Sequence, residues 1–449
     1  MARTRIAMIA ALLLAFALPV HGLAQSAEAD ISAANPEETA ALEKRAADVL
    51  FLFQDRLVTP DDVFSERFLR AVPASQLTTV FSQIERQMGP IEGVQSVERT
   101  GRFQGYVTFR FANGFGSGPM ALSPNAPHKI EGLLLNEFAP NGDGVERIEK
   151  ELLSLPGEVS VYFGSLDGKV PRLEINADKQ LAIGSTFKLY VLSALAREII
   201  ADDDRHWSEV VFVGDKLCLS PPCGPGLRSF TSGTIQNWPA PTPMTVQSLA
   251  TLMISVSDNT ASDELIRYLG EERVVQEMIE SGHSAPERNQ PFLTTRQMFA
   301  LKAGGPEMIR TYRDATREER YEIAFDAEQA ELSEADVQSV FASGPVAIDV
   351  EWFASAHDLR RLLNSFPESH WDTARKIMAI NPSVGPGVKR LYSPIYYKGG
   401  SEPGVLNYTW LLRDIHGWKV LTMSWNNPES TLDETQFELL AQRLLSIKF

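Results

Sequence analysis

The chain has 449 residues, length enough for two or three domains with sizeable cores. Hydrophobic residues make up 44% and charged residues 22%, which excludes an intrinsically disordered chain. A formal charge of −16 argues against nucleic acid or an anionic membrane surface as partner.

The first segment, MARTRIAMIAALLLAFALPVHGLAQ, places Arg3 and Arg5 before a short apolar run with a small-residue exit near Ala24. This predicts a secretory signal peptide over residues 1–24, and a periplasmic or extracellular protein with no integral membrane segment after cleavage. The alternative, an uncleaved anchor, asks a short run to cross a membrane.

Apolar residues recur at helical spacing from Glu37 to Gln54 and from Ala74 to Gly89. Strand patterns follow in VQSVERTG, in GRFQGYVTFRF and in KIEGLLLNEF. In the second of these, Val107, Phe109 and Phe111 face one way and Tyr106, Thr108 and Arg110 the other. The expectation is an α+β domain over residues 36–138. Its order of elements resembles the cone-shaped fold of nuclear transport factor 2 and the steroid isomerases. No acid–base pair stands out in it, so packing, oligomerisation or a substrate edge is the expected role.

The turn-rich APNGDG, Ala139 to Gly144, reads as a joint, and a second domain is expected over residues 144–449. VERIEKELLSLPG is an amphipathic helix, and EVSVYFGSLDGKVPRLEIN a hairpin turning near Asp167 and Gly168. LYSPIYYKGG, VLNYTWLLRD and WKVLTMSW alternate like antiparallel neighbours, and DETQFELLAQRLLSI closes with a helix. This predicts an α/β domain with an antiparallel sheet flanked by helices. Cys218 and Cys223 stand in KLCLSPPCGPG; in an oxidising compartment they suit a small-loop disulfide, and the alternative, a metal site, has no His nearby.

Three segments carry chemistry. In AIGSTFKLYVLSAL, Ser185 and Lys188 are three residues apart where a small-residue turn becomes an apolar helix. A helix start favours developing negative charge, and residues three apart share a face. A Ser hydroxyl needs a base, and a Lys serves if burial and a neighbouring cation strip its proton. In MISVSDNTASDELIRYLG, Ser257 suits a proton relay and Asn259 suits a substrate amide, although Ser, Asp and Asn are also ordinary helix caps. In YYKGGSEPG, Lys398 suits a substrate carboxylate, while Gly399 and Gly400 permit close backbone approach. Each segment alone is weak; their joint occurrence in this order is far stronger.

This triple resembles that of class A β-lactamases and penicillin-recognising serine hydrolases. The resemblance covers about Gly144 to Phe449, and the two-domain arrangement is similar to β-lactamase-like proteins of clavulanate gene clusters. It implies Ser185 as acylated nucleophile, Lys188 as general base, Ser257 as proton relay, Asn259 as amide ligand and Lys398 as carboxylate ligand. It also implies an oxyanion hole made by the N–H groups of Ser185 and Ser401. No cofactor and no metal are implied.

The pattern departs at two points. Gly399 stands where a Thr hydroxyl is usual, with Ser401 as a stand-in. The loop ESGHSAPERNQPFLTTRQMFALK lacks the family's Glu-x-x-Leu-Asn; Glu287 is the better candidate of Glu280 and Glu287 for activating water, and a surface charge is the alternative. The charged helical stretch from Lys302 to Ser343 is expected to cap the rim of the site, where Phe292, Tyr396 and Tyr397 line a pocket or simply fill core. The expected function is hydrolysis of a small-molecule β-lactam or acyl ester through an acyl-enzyme. The alternatives are an esterase, thioesterase or D-Ala peptidase type of transferase, and a slowly deacylating β-lactam or peptidoglycan sensor.

Overall fold

In a computed structural model, residues 36–54, 58–141, 143–202, 205–213, 228–230 and 232–447 are described. The expected signal peptide and both cysteines lie outside them. The chain divides into two compact units, one reaching to Gly144 and including residues 385–388, the other built from residues 145–384 and 389–445.

The first unit opens with α1 (Pro36–Phe53), which buries Leu42, Ala46, Val49 and Phe53 along one face. Two short helices, Pro60–Val63 and Glu66–Ala71, lead to α2 (Ala74–Met88). The strands β1 (Ile91–Gly101), β2 (Gln104–Phe111), β3 (Gly114–Leu122), β4 (Ile130–Leu133) and β5 (Glu137–Pro140) then form an antiparallel sheet. Its order is β1-β2-β3-β4, with β5 also paired to β3. Val107, Phe109 and Phe111 are buried with the α1 residues, and Phe53 stacks on Phe81 of α2 at 3.8 Å.

Strand β3, GFGSGPMAL, carries no alternation of large apolar residues and is missed by sequence reasoning. Its buried positions are Gly114, Gly116, Gly118, Met120 and Leu122, so three of its five inward positions are bare backbone. The glycines are there because neighbours come too close for a side chain. A Cβ on Gly118 would stand 1.7 Å from the Leu134 carbonyl oxygen. Gly118→Ala therefore destabilises this unit by about 3 kcal/mol, measured as a lower urea midpoint, because backbone and not a flexible side chain has to move.

The second unit begins with α3 (Val145–Leu153) and the hairpin β6 (Glu158–Ser165) and β7 (Pro171–Ile175). After β8 (Leu181–Ala182) and a 3-10 turn, Gly184–Phe187, comes α4 (Lys188–Ala201). The pair β9 (Val210–Val213) and β10 (Thr242–Thr245) precedes α5 (Val246–Ser255), α6 (Asn259–Leu269) and α7 (Glu271–Glu280). Then follow α8 (Thr295–Ala303), α9 (Gly305–Asp314), α10 (Arg317–Glu328), α11 (Glu334–Phe341), β11 (Phe353–Ala354), α12 (Ala356–Leu362) and α13 (Asp372–Met378). The strands β12 (Ile395–Glu402), β13 (Val405–Asp414) and β14 (Gly417–Asn426) and the helix α14 (Glu434–Ser446) complete it.

The main sheet runs β12-β13-β14-β6-β7, antiparallel throughout. Strands β6 and β13 are buried along nearly their whole length, which requires helices on both faces. On one face Phe437 of α14 packs on Tyr408 and Trp425. In the helical layer, α4 is buried all round from Lys188 to Ala196, the mark of a central helix. It packs with residues of α5, α6 and α7 in one large core. Phe292 belongs to this core, edge-on to Phe187, and Tyr396 stacks on Trp418. Both rings are buried in this core. The stretch from Lys302 to Ser343 forms α9, α10 and α11. Among the described residues, no helix is long and apolar enough to cross a membrane.

Candidate active site

Ser185 is half-buried in the 3-10 turn, and Lys188 is the first residue of α4, its backbone N–H donating to the Ser185 carbonyl. The turn is pressed against strand β12. A Cβ on Gly400 would lie 2.6 Å from the Ser185 nitrogen and 2.2 Å from the Ile183 carbonyl oxygen, so only glycine admits this approach. On the other side, a Cβ on Gly184 would lie 3.1 Å from the Ser401 nitrogen. The turn of Ser185 and the strand end of Ser401 are thus neighbours, although more than 200 residues separate them.

Lys188 is fully buried and its amine has three hydrogen-bond partners. Its Nζ lies 2.6 Å from the Ser257 carbonyl, 3.1 Å from Ser257 Oγ and 2.8 Å from Asn259 Oδ1. Lys398 approaches the same hydroxyl from β12, its Nζ also 3.1 Å from Ser257 Oγ, and it donates to the Gly399 carbonyl. One hydroxyl therefore bridges two amines. Burial holds the Lys188 amine well below its ordinary range, and the charge of Lys398 adds to this against the opposing pull of Asp263 and Asp258. Burial alone brings Lys398 down to about 7. Two adjacent buried ammonium groups repel, which favours the neutral form of an amine in this pair.

Local chemistry fixes the loop that carries Ser257. Helix α5 ends at Ser255 and α6 starts at Asn259, with Asp258 as its N-cap accepting the Ala261 N–H at 2.9 Å. The second Asp258 oxygen takes the N–H groups of Thr234 and Ile235 at 2.7 and 3.1 Å. Pinned on both sides, Ser257 sits at φ +58°, a left-handed conformation that costs a non-glycine residue about 1–3 kcal/mol. The capping reading and the functional reading of this motif thus divide by residue: Asp258 caps, while Ser257 and Asn259 face the lysines. Asn259 Nδ2 donates to the Phe230 carbonyl at 3.2 Å, which aims its Oδ1 at Lys188.

The glycine at position 399 has a steric cause. A Cβ there would fall 2.2 Å from the Tyr397 hydroxyl, whose ring packs on Trp410. Tyr397 fills the space in which a side chain at 399 would begin. Ser401 is exposed and, with Glu402 and Pro403, borders a groove of about 310 Å³. Its opposite wall is Phe230, Phe299 and the α11 residues Val337 and Phe341.

Glu287 is not brought to this cluster. It is exposed on the 3-10 turn Pro286–Asn289 and has no part in the hydrogen bonds that hold Lys188. Asn289 anchors that turn by exchanging hydrogen bonds with the Phe353 backbone at 2.8 and 3.1 Å, and the charge at 287 is left in solvent. Glu280 is engaged with Arg197 and Arg273.

Two features escaped sequence reasoning. Asp263, one turn beyond Asn259 on α6, is buried and caps α8 by accepting the N–H groups of Thr295 and Arg296 at 2.7 and 3.0 Å. Its spacing from Asn259 was the available signal. The other is a buried cluster of Lys302, Glu351 and Glu402, whose members are scattered over a hundred residues and leave no sequence trace.

Residues 145–319 match the model of the Beta-lactamase enzyme family. That segment takes in Ser185, Lys188, Ser257 and Asn259 and ends before Lys398. No curated protein matches the chain. Among solved structures, a beta-lactamase from Sphaerobacter thermophilus is similar at 17% identity and a TM-score of 0.44, covering 67% of this chain and 94% of that one. A beta-lactamase from Chitinophaga pinensis is similar at 15% identity and a TM-score of 0.45, covering 67% and 97%.

Proposed function

We propose that this protein is an exported serine hydrolase that opens β-lactams through an ester on Ser185. The observation that carries the reading is the shared hydroxyl of Ser257, 3.1 Å from both Lys188 and Lys398, set beside the turn of Ser185. In the first step Lys188, neutral through burial, takes the Ser185 proton as Oγ attacks the lactam carbonyl. The developing oxyanion lies between the N–H groups of Ser185 and Ser401, worth a few kcal/mol in a dry site. As the carbon–nitrogen bond breaks, Ser257 gives its proton to the leaving nitrogen and is resupplied from the lysines. Lys398 attracts the substrate carboxylate and Asn259 its amide. Water then hydrolyses the ester. The N-terminal unit, in this reading, is a cone of the nuclear transport factor 2 type, and residues 1–24 direct export.

Intact mass spectrometry after incubation with benzylpenicillin tests the first step. The wild type gains the mass of the drug and Ser185→Ala gains nothing. No adduct and no turnover of a chromogenic cephalosporin by wild type, or an adduct that persists in Ser185→Ala, removes the nucleophile.

One observation favours a second reading, slow release. Lys188 hydrogen-bonds Ser257 and Asn259 and no carboxylate, so the base that would activate water is not beside it. A burst of cephalosporin cleavage followed by a persistent adduct marks a sensor or transferase, whereas steady turnover marks a hydrolase.

A further inference from the structure

The two N–H donors of the proposed oxyanion hole sit on different segments. The Ser185 turn follows β8 and Ile183, and Ser401 stands near the end of β12. Their separation is set by whatever ties those segments together. Ile183 donates its N–H to the Trp352 carbonyl at 3.0 Å, which fastens the Ser185 turn to the segment before β11. The residue before Trp352 is Glu351, and the residue after Ser401 is Glu402. Both carboxylates meet the same amine: Lys302 Nζ of α8 is 3.2 Å from Glu351 and 2.6 Å from Glu402. All three side chains are buried, at 0%, 0% and 7% exposure for Lys302, Glu351 and Glu402. Three ionisable groups out of water cost several kcal/mol in desolvation, and apolar packing would serve stability as well. Such a cluster needs a reason beyond stability.

We infer that Lys302, Glu351 and Glu402 form a clamp that sets the gap between the Ser185 and Ser401 N–H groups, with Glu402 as a positioning residue for acyl transfer. This rests on the reading of Ser185 as nucleophile. Glu402 extends from the face of β12 that also carries Lys398 and Gly400, the glycine against the Ser185 turn. Pulling the Glu402 carboxylate toward Lys302 therefore draws the strand end bearing Ser401 toward the segment that holds Ile183. With two carboxylates on one lysine, the cluster keeps a proton. Burial, and after it Glu351, raise the Glu402 carboxyl well above the ordinary range, against the pull of Lys302. Among the described residues, the other acidic group bordering the same groove is Glu334 of α11.

The test separates transition-state geometry from substrate binding and from fold. Three quantities are measured on the full chain: the single-turnover acylation rate with a chromogenic cephalosporin, the substrate binding constant, and the affinity for phenylboronic acid. The tetrahedral boronate adduct puts an oxygen where the oxyanion develops. Glu402→Ala is expected to lose 10- to 100-fold in acylation rate and a similar factor in boronate affinity, with substrate binding within threefold of wild type. Glu402→Gln keeps a hydrogen-bond acceptor for Lys302 and is expected within threefold of wild type in all three. Acylation by Glu402→Ala within threefold of wild type overturns the clamp, as does a loss of rate without loss of boronate affinity. Should Glu402→Ala fail to fold, Lys302→Arg, which keeps the charge but changes the bridge, reads the same pair of ratios. A wild type that forms neither a Ser185 ester nor a boronate adduct removes the parent reading first, and is distinguished by that.

Discussion

Lys188→Met acylates Ser185 about 10³-fold more slowly than wild type at neutral pH, the size of effect expected when a positioned general base is removed. Methionine keeps the length and the apolar stem but has no lone pair strong enough to take the serine proton. The wild-type amine can take it because it is buried all round and shares its proton shell with Lys398 through Ser257. The variant is also less stable, since the Ser257 carbonyl and Asn259 Oδ1 lose their donor, at about 1–3 kcal/mol for each buried acceptor left unpaired. The folded fraction, read by circular dichroism, has to be divided out before the rates are compared. Linkage supplies a second check. Because the folded-state value of Lys188 lies below its ordinary 10.5, the unfolded chain binds more protons there between the two values, and wild-type stability rises as pH climbs toward 10.5. The Met variant lacks this contribution. An acylation rate within tenfold of wild type would show that Lys188 is not the base.

The pH dependence of a carboxylate-bearing cephalosporin should differ from that of a neutral p-nitrophenyl ester. Lys398 is charged below about 7 and loses its charge above it. For the cephalosporin, kcat/KM, which reports the free enzyme, bends down above that pH and approaches a tenfold fall for each further unit. Bound substrate carboxylate holds the proton on Lys398, so kcat bends at a higher pH than kcat/KM. The neutral ester makes no use of that charge. Its kcat/KM rises as Lys188 sheds its proton and shows no descending limb from Lys398. Lys398→Ala should raise KM for the cephalosporin more than 100-fold and leave KM for the ester nearly unchanged. Identical profiles for the two substrates would take the carboxylate away from Lys398.

Much of the fold was legible because its elements obey simple periods. The 3.6-residue spacing in α1 and the alternation in β2 put Leu42, Ala46 and Val49, and Val107, Phe109 and Phe111, on buried faces, although Tyr106 on the other face of β2 is buried as well. Strand β3 was not legible, because its inward residues are glycines whose role is the absence of a side chain. At the site, the residue types of Ser185, Lys188, Ser257, Asn259 and Lys398 were visible as motifs. For Phe292 and Tyr396 the sequence left pocket and core both open, since composition cannot tell a buried ring from a contacting one, and the packing puts them in the core.

By itself the sequence determined the local chemistry: a hydroxyl and an amine one helical turn apart, a capped helix start, and a strand thin enough for close approach. Those are properties of neighbours in the chain, set by backbone geometry and side-chain type. Only the tertiary structure decided that Ser257 stands between two lysines, that Tyr397 occupies the space beside Gly399, that Glu287 remains in solvent, and that Glu351 and Glu402 meet on Lys302. The physical reason is the range of the forces involved. Burial and proximity of charges lower a lysine's proton affinity, and both arise only when the packed core brings distant segments within a few ångströms.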